Sequence, residues 1–478
     1  MEELMESRIM KIFRGIASVP HVSFQEKKLS DAIYKLAKDL NLEAFQDEHN
    51  NLLIIKEASK GYEGAPTVML QSHLDMVGEK NMDSDHNFDT DPLELRIEEG
   101  ILFANNTTLG ADNGVGIAYM IAILEDESLK HPRLECVFTV EEEVGLLGAA
   151  KFDASSMEAS LCIGLDSSGE NEACVSSSGG VRGHMVKTLS FEDHESDTIK
   201  IEIRGLLGGH SGEDISKERA NALRLTGIIL KNAIEDGLDV RVVDVQGGLK
   251  VNAICREANL ELAASDVNGF KEWFKIIESN LKDQYKISDP NLSFNLIESN
   301  TRRRTSLKDT MGIANALFML PYGVLQRSME IEGLVITSAN IGTANIIDNE
   351  FIINVSLRAT QSFVIENVMH RVKLISKNTG YEVTFNAKYP GWSYDKDSKF
   401  RKRLFDVYKE LRNEDMQEVA THGGLELGIW KDKMPKLDII GMGPIMYDIH
   451  TPQERLDIGS FERTYEILLE LLETLNNY

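Results

Sequence analysis

The chain has 478 residues, 42% of them apolar and 27% charged, with a net charge of −26. This mixture belongs to a compact soluble protein of two to four domains at roughly 100–200 residues each. The excess of acid argues against a broad nucleic-acid or anionic-membrane surface, which needs clustered Lys and Arg.

The short basic run Arg302-Arg303-Arg304 is too isolated to change this and reads as a solvated loop. Four cysteines, Cys136, Cys162, Cys174 and Cys255, lie far apart without a C-x-x-C pair. Buried free thiols are therefore expected, not disulfides or a thiolate metal site. The amino terminus, MEELMESRIM, is acidic, and no apolar run approaches the roughly 18 residues of a membrane span. A cytoplasmic protein without nucleic-acid or membrane partners is expected.

Helical periodicity begins with Leu29, Ile33, Leu36, Ala37 and Leu40 on one face. Three runs, TVMLQ (67–71), LECVFTV (134–140) and LCIGL (161–165), are too continuously apolar for a sheet with one wet face. A helix is predicted from about Asn113 to Glu125, between the first two. Strands alternating with helices imply an α/β domain with a largely parallel sheet, whose functional groups gather at the carboxyl ends of strands. From about residue 186 the order becomes βαββαβ, a ferredoxin-like unit, and a second run over 307–385 resembles it. The α/β pattern then returns. The predicted organisation is a catalytic domain over 1–185 and 386–478, interrupted by a duplicated α+β insertion over 186–385.

The chemistry-bearing residues fall at element ends. His73 follows the first strand, with Asp75 two residues on as a carboxylate able to orient a ligand imidazole. Asp112 opens the predicted helix, Glu141, Glu142 and Glu143 follow the second strand, Asp166 follows the third, and His450 lies beyond the late strand LDIIG. Each alone has an ordinary explanation: a structural histidine, an N-cap, a solvated glutamate run, a turn residue. Their shared position shifts the balance. Two histidines and three carboxylates suit a pair of borderline divalent ions, and a glutamate beside a ligand glutamate is free to act as general base. There is no P-loop, no dinucleotide fingerprint and no G-x-S-x-G elbow.

Several blocks resemble the aminoacyl-histidine dipeptidases of the di-zinc aminoacylase and carboxypeptidase clan. They are LQSHLDMV (70–77), FDTDPLEL (88–95), TTLGADNGVGIA (107–118) and EEVGLLGA (142–149), then GLLGGHSGEDI, GGLKVNAICREA, YPGW, THGGLELG and GPIMYDIHTPQERL. Together they span nearly the whole chain. The resemblance implies a di-zinc exopeptidase-like α/β domain whose insertion is a lid of two ferredoxin-like halves. It implies two Zn²⁺ per chain, with Mn²⁺ or Co²⁺ as substitutes, and a short unblocked peptide as substrate.

Position by position, it implies His73 on one metal, Asp112 bridging both, Glu143 and Asp166 as further ligands, and His450 on the second ion. Glu142 would be the general base, with Asp75 behind His73. The three consecutive glutamates allow two registers, and the family's x-G-x-x-G-A segment selects Glu142 and Glu143. His210, which alone would read as an exposed loop histidine, becomes an oxyanion donor carried by the lid. Asn252 and Arg358 resemble positions that hold the substrate's backbone or carboxylate, and Glu426 is a weaker match for contact with its amino group. Ile336-Thr337-Ser338 departs from relatives that carry a Glu before Thr-Ser.

Lids in this clan often dimerise, whereas a duplicated lid can supply internally what a partner supplies elsewhere, so a homodimer through the lid stays open. A tripeptide aminopeptidase, a deacylase of N-acyl amino acids and a non-catalytic metal-binding or interaction protein are the rival readings.

Overall fold

The computed structural model describes residues 7–478; residues 1–6, most of the acidic amino terminus noted above, lie outside the described residues. The described residues form two compact units, one of residues 7–177, 392–420 and 425–478, the other of 178–391 and 421–424. No disulfide joins the four cysteines, and all four are buried. Among the described residues no helix is long and apolar enough to cross a membrane.

The first unit is built on an eight-stranded sheet. Its centre is four parallel strands in the spatial order Leu134–Thr139, Val68–His73, Leu161–Gly164 and Asp438–Gly441. The first three are buried at every position, which is why their sequences are continuously apolar. Antiparallel strands flank them: Leu52–Lys56 and Glu43–Gln46 on one side, Glu172–Ser177 on the other. In register, His73 lies opposite Thr139 and Gln71 opposite Gly164, so three strands end at one level.

Helix Ala111–Glu125 is buried on nearly all sides. Tyr119 stacks on Phe461 of the terminal helix Ile458–Thr474 at 4.9 Å, and Phe13 of helix Arg8–Ala17 meets the same ring edge-on at 6.2 Å. The helix begins before the predicted start. Asp112 does not cap it: the N-cap position is Gly110, and Asp112 and Asn113 have non-helical backbone angles inside the first turn.

In the second unit, eight strands of a nine-stranded sheet form two ferredoxin-like halves. The first half holds Asp197–Arg204, Val240–Gly247, Ala258–Ala264 and Ser293–Ser299, with helices Ala222–Glu235 and Val267–Tyr285. The second holds Gly179–Thr188, Val335–Ile347, Glu350–Ala359 and Glu382–Tyr389, with helices Leu307–Met319 and Ser362–Thr379. The halves join where Gln246 and Gly247 pair with Asn345 and Ala344.

Strand Gly179–Thr188 opens the second half although it precedes the first, so one half is inserted into the other. The boundary expected at 186 falls inside this strand. Its sequence, GGVRGHMVKT, carries three glycines that weaken any strand signal. They are needed for close packing: a Cβ on Gly183 would come 2.8 Å from Val355 Cγ2. The basic run is not a loop either. Arg303–Thr305 pairs with Phe191–Asp193, with the Arg303 guanidinium 3.9 Å from the Phe191 ring centroid and Arg304 bonded to Glu192 at 3.0 Å.

Candidate active site

The aligned carboxyl ends of the central strands bring the predicted ligands together. His73 is 1% exposed and its Nδ1 donates to the Asp75 main-chain oxygen at 2.9 Å, which turns Nε2 toward the cluster. That nitrogen lies 2.9 Å from Asp112 Oδ1 and 3.7 Å from Asp166 Oδ1. On the other side of Asp112, His450 Nε2 lies 3.2 Å from Oδ2 and 2.9 Å from Glu143 Oε1. Asp112 thus has one oxygen toward each histidine. Asn113 Nδ2 holds Asp166 Oδ1 at 3.1 Å.

The glutamate run divides sharply. Glu141 turns outward to Lys151 at 3.2 Å, whereas Glu143 faces the cluster. The Asp75 carboxylate accepts the backbone N–H groups of Glu142 at 3.0 Å and Glu143 at 3.1 Å and the Ser23 hydroxyl at 2.8 Å. One residue therefore sets both the His73 tautomer and the turn that presents the two glutamates.

The electrostatics call for a cation. Burial, then the Asp112 charge, pushes Asp166 up to about 6. Burial and then the charges of Asp166, Glu143 and Glu426 push Glu142 well above the usual carboxylate range. Hydrogen bonds to Asp112 and Glu143 carry His450 up to about 11. Burial alone would raise Asp112, but His450 and His73 overcome it and hold the carboxyl far below its ordinary value. Crowded carboxylates recruiting imidazolium partners are what a divalent ion replaces. His73, Asp112 and Glu143 each offer a ligand atom within 4.8 Å of the others, a nitrogen and oxygen donor set suited to a borderline divalent metal.

The second unit carries its own cluster. His210 sits on the short strand Gly209–His210, paired opposite Ala253, and the neighbouring Asn252 is exposed, its main-chain oxygen accepting Ser211 N–H at 2.8 Å. His210 Nδ1 accepts the Glu213 N–H at 3.3 Å, which puts the ring proton on Nε2. Burial and then Arg358 lower its pKa, so the ring is neutral at pH 7. Arg358 is 7% exposed; its Nη1 donates to the Tyr389 hydroxyl at 3.1 Å and the His422 carbonyl at 3.3 Å, and its Nε finds no partner. A Cβ on Gly212 would lie 3.2 Å from His210 Cε1 and 3.3 Å from Arg358 Cζ, so glycine leaves the space between them open.

Residues 69–474 match peptidase family M20/M25/M40. The chain belongs to this family. It is 32% identical over 99% of both chains to the cytosol non-specific dipeptidase of Escherichia coli. It also matches the crystal structure of aminoacylhistidine dipeptidase from Vibrio alginolyticus, with a TM-score of 0.93, 30% identity and 99% of each chain covered. The fold alone extends to aminopeptidase PepT from Bacillus cereus, at a TM-score of 0.58 and 16% identity over 98% of both chains.

Peptidases of family M20/M25/M40 are metal-dependent, and His73, Asp112 and Glu143 of this member could hold an ion. Among the predicted substrate-binding residues Glu426 is the most deeply buried. It is 1% exposed, accepts Thr139 Oγ1 at 2.6 Å and Gln71 Nε2, and burial raises its pKa to about 8. A contact with a substrate ammonium needs an open carboxylate, and Glu426 is enclosed beneath the cluster.

His422 and Glu454 lie in the blocks THGGLELG and GPIMYDIHTPQERL, but what surrounds them cannot be read from spacing. His422 is gripped by Ser178 Oγ on Nδ1 at 2.6 Å and Ser338 Oγ on Nε2 at 2.7 Å. Glu454 accepts backbone N–H groups from the loop that carries Asp112. Neither partner set leaves a spacing pattern, since lone hydroxyls and main-chain groups do not show in the order of residues.

Proposed function

We propose that the protein is a cytoplasmic metallo-dipeptidase that hydrolyses unblocked dipeptides, Xaa-His among them, with two zinc ions per chain. One observation carries this reading: His73, Asp112, Glu143 and His450 converge within hydrogen-bond distance in a chain similar over its whole length to two dipeptidases.

The ions would be held by His73, Asp112, Glu143, Asp166 and His450, and Asp112, with one oxygen toward each histidine, would serve both. When bound, the metals supply Lewis-acid polarisation of the scissile carbonyl and a more acidic water. The chain does the rest. Glu142, held above the usual carboxylate range by burial, is the proton shuttle. It takes a proton from the water as the C–O bond forms and returns it to the amine nitrogen as the C–N bond breaks. His210, with its Nε2–H, is assigned to the developing oxyanion. Arg358, buried without an acidic partner among the described residues, is assigned to the substrate carboxylate, and Asn252 to its backbone.

A homodimer through the second unit belongs to this reading; the terminal strands Ser293–Ser299 and Glu382–Tyr389 leave edges to which no described strand pairs. The decisive experiment is hydrolysis of a panel of histidine dipeptides, other dipeptides, a tripeptide and an N-acetyl amino acid, with metal-loaded and chelated protein. Metal-dependent cleavage confined to unblocked dipeptides is expected. Cleavage of only the tripeptide or the acetylated compound would move the protein to a sister activity, and no cleavage at about two bound metals per chain would overturn the proposal.

A further inference from the structure

We infer that Glu454 is a positioning residue of the metal centre: its carboxylate fixes the backbone of Asp112 relative to His450, so that the two ligands are set as one unit. The inference rests on the ligand set proposed above. Glu454 is 2% exposed, and its two oxygens accept four successive backbone N–H groups, Leu109 at 2.7 Å, Gly110 at 3.0 Å, Ala111 at 2.9 Å and Asp112 at 3.3 Å. Consecutive N–H groups converge in this way only where the chain folds into a concave nest. The left-handed backbone of Gly110, at φ 67°, permits it, and a Cβ there would lie 2.9 Å from Met76 Sδ.

The same carboxylate belongs to the turn that carries His450. Glu454 N–H closes that turn on Thr451 O at 3.0 Å, and the following strand Arg455–Asp457 pairs with Ile101–Ala104. His450 therefore reaches Asp112 Oδ2 from one end of a turn whose other end holds the Asp112 main chain. The two segments are 342 residues apart in sequence at their contact between Asp112 N and Glu454. Side chains behind metal ligands typically influence metal affinity or activity by roughly 10–100-fold. Here the influence runs through the main chain of the ligand shared by both proposed ions, so both should feel it.

The test is Co²⁺ titration of the metal-stripped full-length protein, followed by visible absorption, for wild type, Glu454→Gln, Glu454→Asp, Asp112→Ala and Asp289→Asn. Asp289 is a control for general stability, because it is 1% exposed and accepts Leu207 N–H at 2.9 Å and Ala220 N–H at 2.7 Å in the second unit. Glu454→Gln should weaken Co²⁺ binding at both sites by roughly 10–100-fold and alter the absorption bands. Asp289→Asn should lower thermal stability and leave both readouts unchanged. If Glu454→Gln does not fold, Glu454→Asp, which keeps the charge and shortens the reach, should show a smaller loss in the same direction.

Wild-type affinity and spectrum in a folded Glu454 variant would overturn the inference, as would an equal loss in Asp289→Asn. Asp112→Ala separates the two levels of argument. If it too binds Co²⁺ normally, the ligand assignment itself is wrong; if it alone loses metal, only the role of Glu454 fails.

Discussion

Asp75 accepts the backbone N–H of Glu142 at 3.0 Å while its own main-chain oxygen receives the His73 ring proton at 2.9 Å. A residue expected only to orient an imidazole thus also anchors the turn that carries the proposed base. Asp75→Asn replaces one acceptor oxygen with an amide that cannot accept the Glu142 or Glu143 N–H. Metal affinity and kcat should both fall, each by roughly 10–100-fold. Isothermal titration with Zn²⁺ beside steady-state kinetics checks this, and a variant that lost only kcat would mean that the Asp75 carboxylate does not position Glu143 for the metal.

Glu142→Gln keeps the shape of the side chain and removes its basicity. The variant should retain wild-type metal content and lose roughly 10²–10⁴-fold in kcat. Metal analysis of the purified variant, paired with turnover on a dipeptide, decides the matter. Normal turnover would assign the base elsewhere.

Arg358→Ala should raise KM far more than it lowers kcat if the guanidinium holds the substrate carboxylate in ground and transition states alike. A charge-assisted hydrogen bond is worth about 1.5–3 kcal/mol, so a roughly tenfold to hundredfold rise is expected. Comparing a dipeptide with its C-terminal amide provides the check, because the wild type should discriminate between them and the variant should not.

Glu426 supplies a pH prediction for the metal-free protein. Its folded pKa is raised to about 8 from an ordinary 4.5, so between those values the folded state binds more protons than the unfolded one. Stability from this group is therefore lost as pH rises from about 4.5, and the loss is complete above about 8. Glu426→Gln, neutral throughout, should remove that decline. Thermal unfolding of chelated wild type and variant at pH 5 and pH 9 should show a difference in Tm that grows toward pH 9 in favour of the variant. Parallel curves would show that the buried carboxyl does not titrate in this range.

Metal loading should stabilise the fold, since ions that bind the native state alone contribute about 2.7 kcal/mol at a hundredfold excess over Kd. Tm should rise with added Zn²⁺ and return on chelation. The rise should shrink toward pH 5, because His73 and His450 must be deprotonated to serve as ligands. An increment independent of pH would argue against histidine ligation.

Much of the site is legible in the order of residues. His73, the glutamate run and Asp166 each follow an apolar run, and parallel strands bring such positions to one edge. The register among Glu141, Glu142 and Glu143 is not legible from spacing, because adjacent residues in a turn can face either way. It takes the Asp75 contacts and the outward Lys151 pair to separate them. Strand Gly179–Thr188 is hidden for a related reason: its glycines serve neighbouring strands, not its own propensity.

The residue types of the histidine and carboxylate cluster, the alternation that builds the parallel sheet and the duplicated pattern of the second unit are all readable in the order of residues. These are local properties, set by periodicity and by donor chemistry. Packing, by contrast, makes Glu426 a buried acid, sets Glu454 against the Asp112 loop and places His422 between two serines. Each of those roles depends on what surrounds a side chain after distant segments have packed, and burial and main-chain hydrogen bonds leave no mark in the order of residues.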